Sequence, residues 1–154
     1  MKKKIKVVGD IMLDKWCEGK FHKKSAEAPI NIFLTKNISY SLGGVGNLCV
    51  NLKSLKVKHH LFSEVGKDNI GLKTIKILKK EKIKFHVLKS KQISTLKERL
   101  FIKNQQVFRK DFEYNSKNPI TSYKINNQIK LDYIVVISDY QKGLINKNFM
   151  NKLR

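Results

Sequence analysis

The sequence predicts an α/β fold, a parallel sheet with crossover helices that carries a small β flap. Short β-branched runs alternate with helical apolar spacing through the first half of the chain, the rhythm of strands joined by crossover helices. Two further extended segments break that rhythm, and a late apolar run ends abruptly in Ser-Asp-Tyr.

The elements follow in order. Lys4 to Val8 (KIKVV) is a β-branched run stopped by Gly9 and reads as a buried strand. After Gly43-Gly44, Leu48, Leu52 and Leu55 fall at i, i+4 and i+7, an apolar stripe on a helix of about three turns. Residues 57 to 65 (VKHHLFSEV) read as a second strand. Asp68 is placed to cap a helix running to about Lys80, with Ile70, Ile77 and Leu78 turned inward. A third strand is expected at Lys84 to Leu88.

Pro29 to Leu34 (PINIFL) and Thr95 to Phe112 look extended, the second as two strands meeting near Asn104 and Gln105. Antiparallel pieces inserted into a parallel α/β chain suit a flap over the carboxyl ends of the strands, where ligands bind. A polar connection around Asn115 to Asn118 and a weak helix near 121 to 130 lead to Asp132 to Ile137 (DYIVVI), the clearest buried strand. Another helix is expected towards Arg154.

Composition bounds the function. At 154 residues the chain suits one core of ordinary size, and 41% hydrophobic residues suit a globular one. Cys17 and Cys49 fall in no zinc or C-x-x-C spacing, so free thiols of an intracellular chain explain them. The basic N-terminus imitates a signal peptide, but Asp10 and Asp14 interrupt its apolar run. With no stretch of 18 or more apolar residues, the expectation is a soluble, cytoplasmic protein without membrane contact.

A net charge of +21 ordinarily points to nucleic acid. Yet 30 of the 33 cations are Lys, and the Arg residues (Arg99, Arg109, Arg154) are the ones suited to base readout and bidentate phosphate contacts. Thirteen Asn and 17 Ile against two Ala fit codons drawn from an AT-rich genome, and the lysines are spread along the chain. Drift in composition therefore outweighs a nucleic-acid surface, with non-specific polyanion binding open on either account.

The stretch SLGGVGNLCVNLKSL carries the first candidate chemistry. Gly43-Gly44 opening a helix exposes backbone N–H groups and the positive end of the dipole to a ligand, and Asn47 adds an amide that donates and accepts. The spacing fits neither the dinucleotide fingerprint nor the P-loop, and a tight turn with close helix packing explains the glycines equally well. Asp10 and Asp14 follow the first strand at the same sheet edge, where a carboxylate either caps a turn or accepts hydrogen bonds from a polyol. Asp, Gly-Gly and Asn converging on one edge suggest a sugar pocket.

These segments resemble the N-terminal part of the ribokinase-like (PfkB) carbohydrate kinases, and within them the heptose 7-phosphate kinase domains of bifunctional heptose kinase/adenylyltransferases. VVGDIMLDKW is similar to the family's first-strand motif, KKSAEAPINIF to its Arg-x-Ser-Pro-Glu-Ala-Pro-x-Pro flap segment, and GGVGNLCVNLKSL to its Gly-Gly-x-x-Asn helix. FSEVGKD resembles its second-strand exit, TLKERLFIKNQQVFRKDFE its flap hairpin, and SDYQKGL its Ser-Asp-Tyr-x-Lys-Gly-x-Leu turn. The resemblance is collinear over the whole chain.

It implies an N-terminal, sugar-binding half of a ribokinase-like fold, with flap segments at about 15–40 and 93–113. Asp14, Gly43, Gly44 and Asn47 would hold sugar hydroxyls. Lys97, Arg99, Gln106 and Arg109 would belong to the flap facing a phosphorylated sugar, although alone such charges read as a solvated hairpin face. Asp139, Tyr140 and Lys142 would lie beside the reacting centre. The implied reaction is ATP-dependent, Mg2+-assisted transfer to the anomeric hydroxyl of heptose 7-phosphate, towards ADP-heptose and lipopolysaccharide.

The family's Gly-Ala-Gly-Asp turn, with its general base, is not among the 154 residues, so the base and ATP site are expected beyond Arg154 and no catalytic residue is assigned. Another carbohydrate kinase of the family, or an inactive sugar-phosphate-binding module, are the alternatives. A homodimer through the flap, or a partner chain completing the fold, would cover the open sheet. Departures from the pattern are Lys23 for an Arg, Ala26 and Asn31 for prolines, and Val45-Gly46 in the glycine turn, where Gly46 would loosen the helix start.

Overall fold

The computed structural model describes residues 5–113 and 134–153. The expected polar connection and helix at 115–130 lie outside them, as do Lys4, Asp132 and Tyr133.

Two four-stranded sheets share the chain. Strand β1 (Ile5–Gly9) is followed after one residue by β2 (Ile11–Lys24), which pairs antiparallel with β3 (Asn31–Gly44). Helix α1 (Val45–Ser54), β4 (His59–Gly66), α2 (Asn69–Lys80) and β5 (Phe85–Ser90) come next, then the hairpin β6 (Leu96–Ile102) and β7 (Gln105–Phe112). Strand β8 (Ile134–Ser138) and helix α3 (Lys147–Leu153) complete the described chain.

The first sheet, ordered β5-β4-β1-β8, is parallel throughout, as its β-branched runs require. Val7, Leu61 and Val65 pack on one face against Val45 and Cys49 of α1 and Leu78 of α2. Val8 and Phe62 pack on the other against Leu144 and Phe149. Both cysteines are buried and free, and burial pushes the Cys49 thiol up to about 12.

The flap sheet, ordered β3-β2-β6-β7, is larger than its sequence suggested. Strands β2 and β3 run 14 residues each, inserted between β1 and α1. Strand β3 starts at Asn31, so Pro29 and Ile30 lie in the turn, where Ser25 N donates to Ile30 O at 2.9 Å. The β6–β7 turn is Lys103-Asn104, both at positive φ, a residue earlier than expected.

The helices begin near their expected positions, with two corrections. The buried stripe of α1 is Val45 and Cys49 with Leu52 partly buried, while Leu55 is the C-cap and 73% exposed. Gly46 does not loosen the start; it is buried, and a Cβ there would stand 2.9 Å from Leu42 Cβ and 3.2 Å from Ile11, so its bareness lets α1 dock.

Asp68 caps α2 as expected, accepting from Gly71 N at 2.7 Å. It also accepts from Ser94 N at 2.6 Å and Ser94 Oγ at 2.8 Å, which fixes the chain as it enters the flap. Although burial opposes ionisation, these bonds together hold its carboxyl below the usual range.

Candidate functional site

Strand order reverses at β1. The chain moves outward through β4 and β5, then returns to place β8 on the other side of β1. Ligands of open α/β sheets bind at such a switch point, beyond the carboxyl ends of the strands. Here those ends are Gly9-Asp10 and Ser138-Asp139.

Asp10, 5% exposed, is the junction. Its Oδ2 accepts from Tyr140 N at 2.8 Å and Lys142 N at 3.3 Å, bracing the turn after β8. Its backbone N donates to Ser138 O at 3.1 Å, and its carbonyl accepts from Val45 N at 3.0 Å, so the same residue holds the start of α1. Burial pushes its carboxyl up, against the pull of the backbone donors of Tyr140, Lys142 and Leu144.

The glycine pair has two separate reasons. Gly44 sits at φ 57°, and a Cβ there would stand 2.3 Å from the Asp10 carbonyl oxygen. Gly43 has no such backbone; instead, a Cβ on it would stand 2.6 Å from Asp14 Oδ2. The bare backbone of Gly43 is what leaves room for the Asp14 carboxylate. No side chain caps α1, and Asn47 is exposed in its first turn.

Asp14 is fixed from the flap. Its Oδ1 accepts from Arg99 Nη1 at 2.6 Å, with both side chains mostly buried, at 15% and 17% exposure. The Arg99 guanidinium lies over the Trp16 ring at 4.9 Å, and Trp16 Nε1 donates to Ser41 Oγ at 2.8 Å. Register explains the cluster. Asp14 pairs with Lys97 and Trp16 with Arg99 across β2–β6, so alternate residues share one face.

The other two candidate cations of the flap, Lys97 and Arg109, are paired as well. Asp111 accepts from Arg109 through Nε at 2.8 Å and Nη2 at 2.6 Å, and lies 3.5 Å from Lys97 Nζ. The Arg109 guanidinium beside Asp111 holds that carboxyl below its usual range. Lys142 pairs with Glu113 at the end of β7, joining the turn braced by Asp10 to the flap. Lys97, Arg99, Arg109 and Lys142 therefore face three carboxylates rather than standing singly in solvent.

Gln106 stands apart, paired with Phe101 four residues along β6 from Lys97, about 13 Å away at strand rise. Asp139 is exposed and accepts from Gln141 N at 2.7 Å, and Tyr140 is 50% exposed. A polar cleft opens at the ends of β1 and β4, lined by Asp10, Glu64, Gln92, Ser94, Thr95 and Lys142. It lies beside the Asp14–Gly43 contact and does not include it. Among the described residues no three acidic, His or Cys groups converge as a metal site, and no helix is long and apolar enough to cross a membrane.

Sequence reasoning named Asp10 only as an edge carboxylate beside Asp14, and did not assign Asp111 and Glu113 to the site. For the last two a signal was present, an Arg-x-Asp-x-Glu alternation that puts all three on one face of a strand.

Residues 2–142 match the pfkB family carbohydrate kinase model. The bifunctional protein HldE of a Helicobacter pylori strain is 38% identical over 93% of this chain, which spans 32% of that protein. The HldE of a Nitratiruptor species is 33% identical over 96% of the chain and 33% of its own length. Phosphofructokinase-2 of Escherichia coli in complex with fructose-6-phosphate superposes with a TM-score of 0.75 at 15% identity, covering 99% of this chain and 50% of that one. The tetrameric inhibited form of the same enzyme gives 0.77 at 14% identity, over 98% and 51%. The chain thus spans about a third of the curated relatives and about half of the solved kinases.

Proposed function

Because the chain belongs to the pfkB family of carbohydrate kinases, we propose that it is the sugar-binding part of a sugar-phosphate kinase whose acceptor is D-glycero-β-D-manno-heptose 7-phosphate. The transfer would go to the anomeric hydroxyl, on the route to ADP-heptose and lipopolysaccharide. The observation that carries this reading is the Asp14 carboxylate, seated against the bare Gly43 backbone and held by Arg99. The HldE relatives supply the choice of sugar.

In this reading Asp14 and Asn47 take sugar hydroxyls at the open start of α1, where N–H groups and the helix dipole suit oxygen ligands. Lys97 and Arg109 face the 7-phosphate. Lys142, at the switch point, attends the reacting end. The family uses ATP as donor, but no phosphate-cradling glycine motif occurs among these residues, so no step is assigned to nucleotide or Mg2+ here. The exposed Phe21, Ile38 and Phe108 of the flap, each at least half exposed, support self-association through that sheet.

Calorimetric titration with heptose 7-phosphate, unphosphorylated heptose and fructose 6-phosphate tests the reading. Preferential binding of heptose 7-phosphate, lost in Asp14→Ala and Asn47→Ala, is expected. Equal binding in both variants would remove the pocket, and preference for fructose 6-phosphate would move the substrate to another sugar of the family.

A further inference from the structure

We infer that Asp111 is a positioning residue that sets Lys97 and Arg109 towards a single phosphate; this rests on the sugar-phosphate reading above. Three cations, Lys97, Arg99 and Arg109, crowd one face of neighbouring strands, and Arg99 and Arg109 are direct cross-strand partners. Like charges so placed repel and splay. Arg99 is drawn off to Asp14 and rests on Trp16. Asp111 performs the same service for the other two, gripping Arg109 through Nε and Nη2 while lying 3.5 Å from Lys97 Nζ.

The grip is geometric as well as electrostatic. A guanidinium bound by Nε and one Nη has its plane fixed by the carboxylate and its remaining N–H donors aimed elsewhere. Two cations around one carboxylate keep a net positive charge, so the cluster still attracts a phosphate. Glu113, two residues further on, links the end of the same strand to Lys142.

A simple competitor would behave in the opposite way. If Asp111 merely occupied the anion's place, its neutralisation would free both cations and tighten phosphate binding. If it positions them, neutralisation leaves them splayed and binding weakens. The sign of the change separates the two.

The test compares the wild-type chain with Asp111→Asn and Asp111→Glu. Titration uses heptose 7-phosphate and unphosphorylated heptose, and the Arg109 Nε–H resonance is followed by 15N NMR. Positioning predicts at least about a tenfold loss of heptose 7-phosphate affinity in the Asn variant, the worth of a charge-assisted bond. Unphosphorylated heptose should bind unchanged, and the Glu variant should recover part of the loss. Equal or tighter phosphate binding in the Asn variant overturns the inference, as does an equal loss for both sugars. If the wild type binds neither sugar, the functional reading falls, and the NMR signal decides alone. Broadening or loss of the Arg109 Nε–H signal in the Asn variant supports positioning, and an unchanged sharp signal refutes it.

Discussion

Gly43→Ala tests the site without disturbing the backbone. Gly43 does not have left-handed φ, so alanine fits its main chain, and the perturbation falls on one contact: the new Cβ would lie 2.6 Å from Asp14 Oδ2 and 3.1 Å from Cγ. Ordinary carbon–oxygen contact needs roughly 3.4 Å, so about 0.8 Å of relief is required, more than packed interiors give freely. The carboxylate must turn, and the 2.6 Å bond to Arg99 Nη1 breaks. Such a charge-assisted bond contributes about 1.5–3 kcal/mol, and the reduced chain entropy of alanine offsets roughly 0.4–1 kcal/mol. A net loss of about 1–2 kcal/mol in urea unfolding is expected, with at least about a tenfold loss of heptose 7-phosphate affinity by calorimetry. Gly44→Ala is the contrast. Left-handed φ and a backbone oxygen 2.3 Å away leave nothing that can rotate, so about 3 kcal/mol or more should be lost. Wild-type stability and wild-type sugar affinity together in Gly43→Ala would refute the claim that this glycine exists to seat Asp14.

Three other outcomes are expected. Lys82→Gly should stabilise the fold by about 0.5–1 kcal/mol in urea unfolding, because Lys82 occupies the left-handed C′ position of α2 at φ 53°. Asp68→Ala should cost about 2–3 kcal/mol and raise hydrogen exchange at Gly71 and Ser94, since it orphans both N–H groups at once. The pH dependence should show His60: burial, reinforced by Lys84, His86 and Lys6, lowers its pKa from 6.5, so the unfolded chain protonates first. Its contribution is present above that value and fades as pH falls through it, levelling off below the folded pKa, so the melting temperature should drop between about pH 7.5 and 5.5. His60→Gln should flatten that drop.

The parallel sheet was legible because its central strands β1 and β4 are buried on both faces and spell that burial in apolar residues, whereas β8, expected to be the clearest buried strand, is an edge strand with Ile134 45% exposed and the rest only partly buried. The flap was legible only in pieces. Strands β2 and β3 project beyond the core, so Lys, Glu, His and Asn are tolerated along them and no alternation survives to mark their 14-residue length. The end of α1 was hidden for a different reason, although α2 ends at Lys80 as expected. Both α1 and α2 close by a residue at positive φ where glycine is the usual signal, yet Lys56 and Lys82 stand there, paired as Lys56 N to Lys53 O and Lys82 N to Lys79 O. Leu55 looked like a third-turn core residue because nothing in the sequence announced that the helix stops at Ser54.

The candidate site divides in the same way, between residue types and register. Asp, Gly-Gly and Asn were visible as chemistry, but which groups meet depends on how β2 lies against β3. Met12 pairs with Gly43 and Asp14 with Ser41, so Gly43 is the diagonal neighbour of Asp14 on one face. That register passes two irregularities, between Glu18 and Gly19 and between Phe21 and Lys24, which offset each other, so that Lys24–Asn31 and Asp14–Ser41 lie in one frame and omitting one irregularity alone would give the wrong face. A slip of one residue would present Leu42 to Asp14, and the carboxylate would lose both its space and its place beside Arg99. The balance between the two bulges is therefore part of the site's geometry. Removal of one without the other should disable sugar binding while leaving the parallel sheet folded, a separation that hydrogen exchange at β1 and β4, measured beside ligand affinity, would resolve.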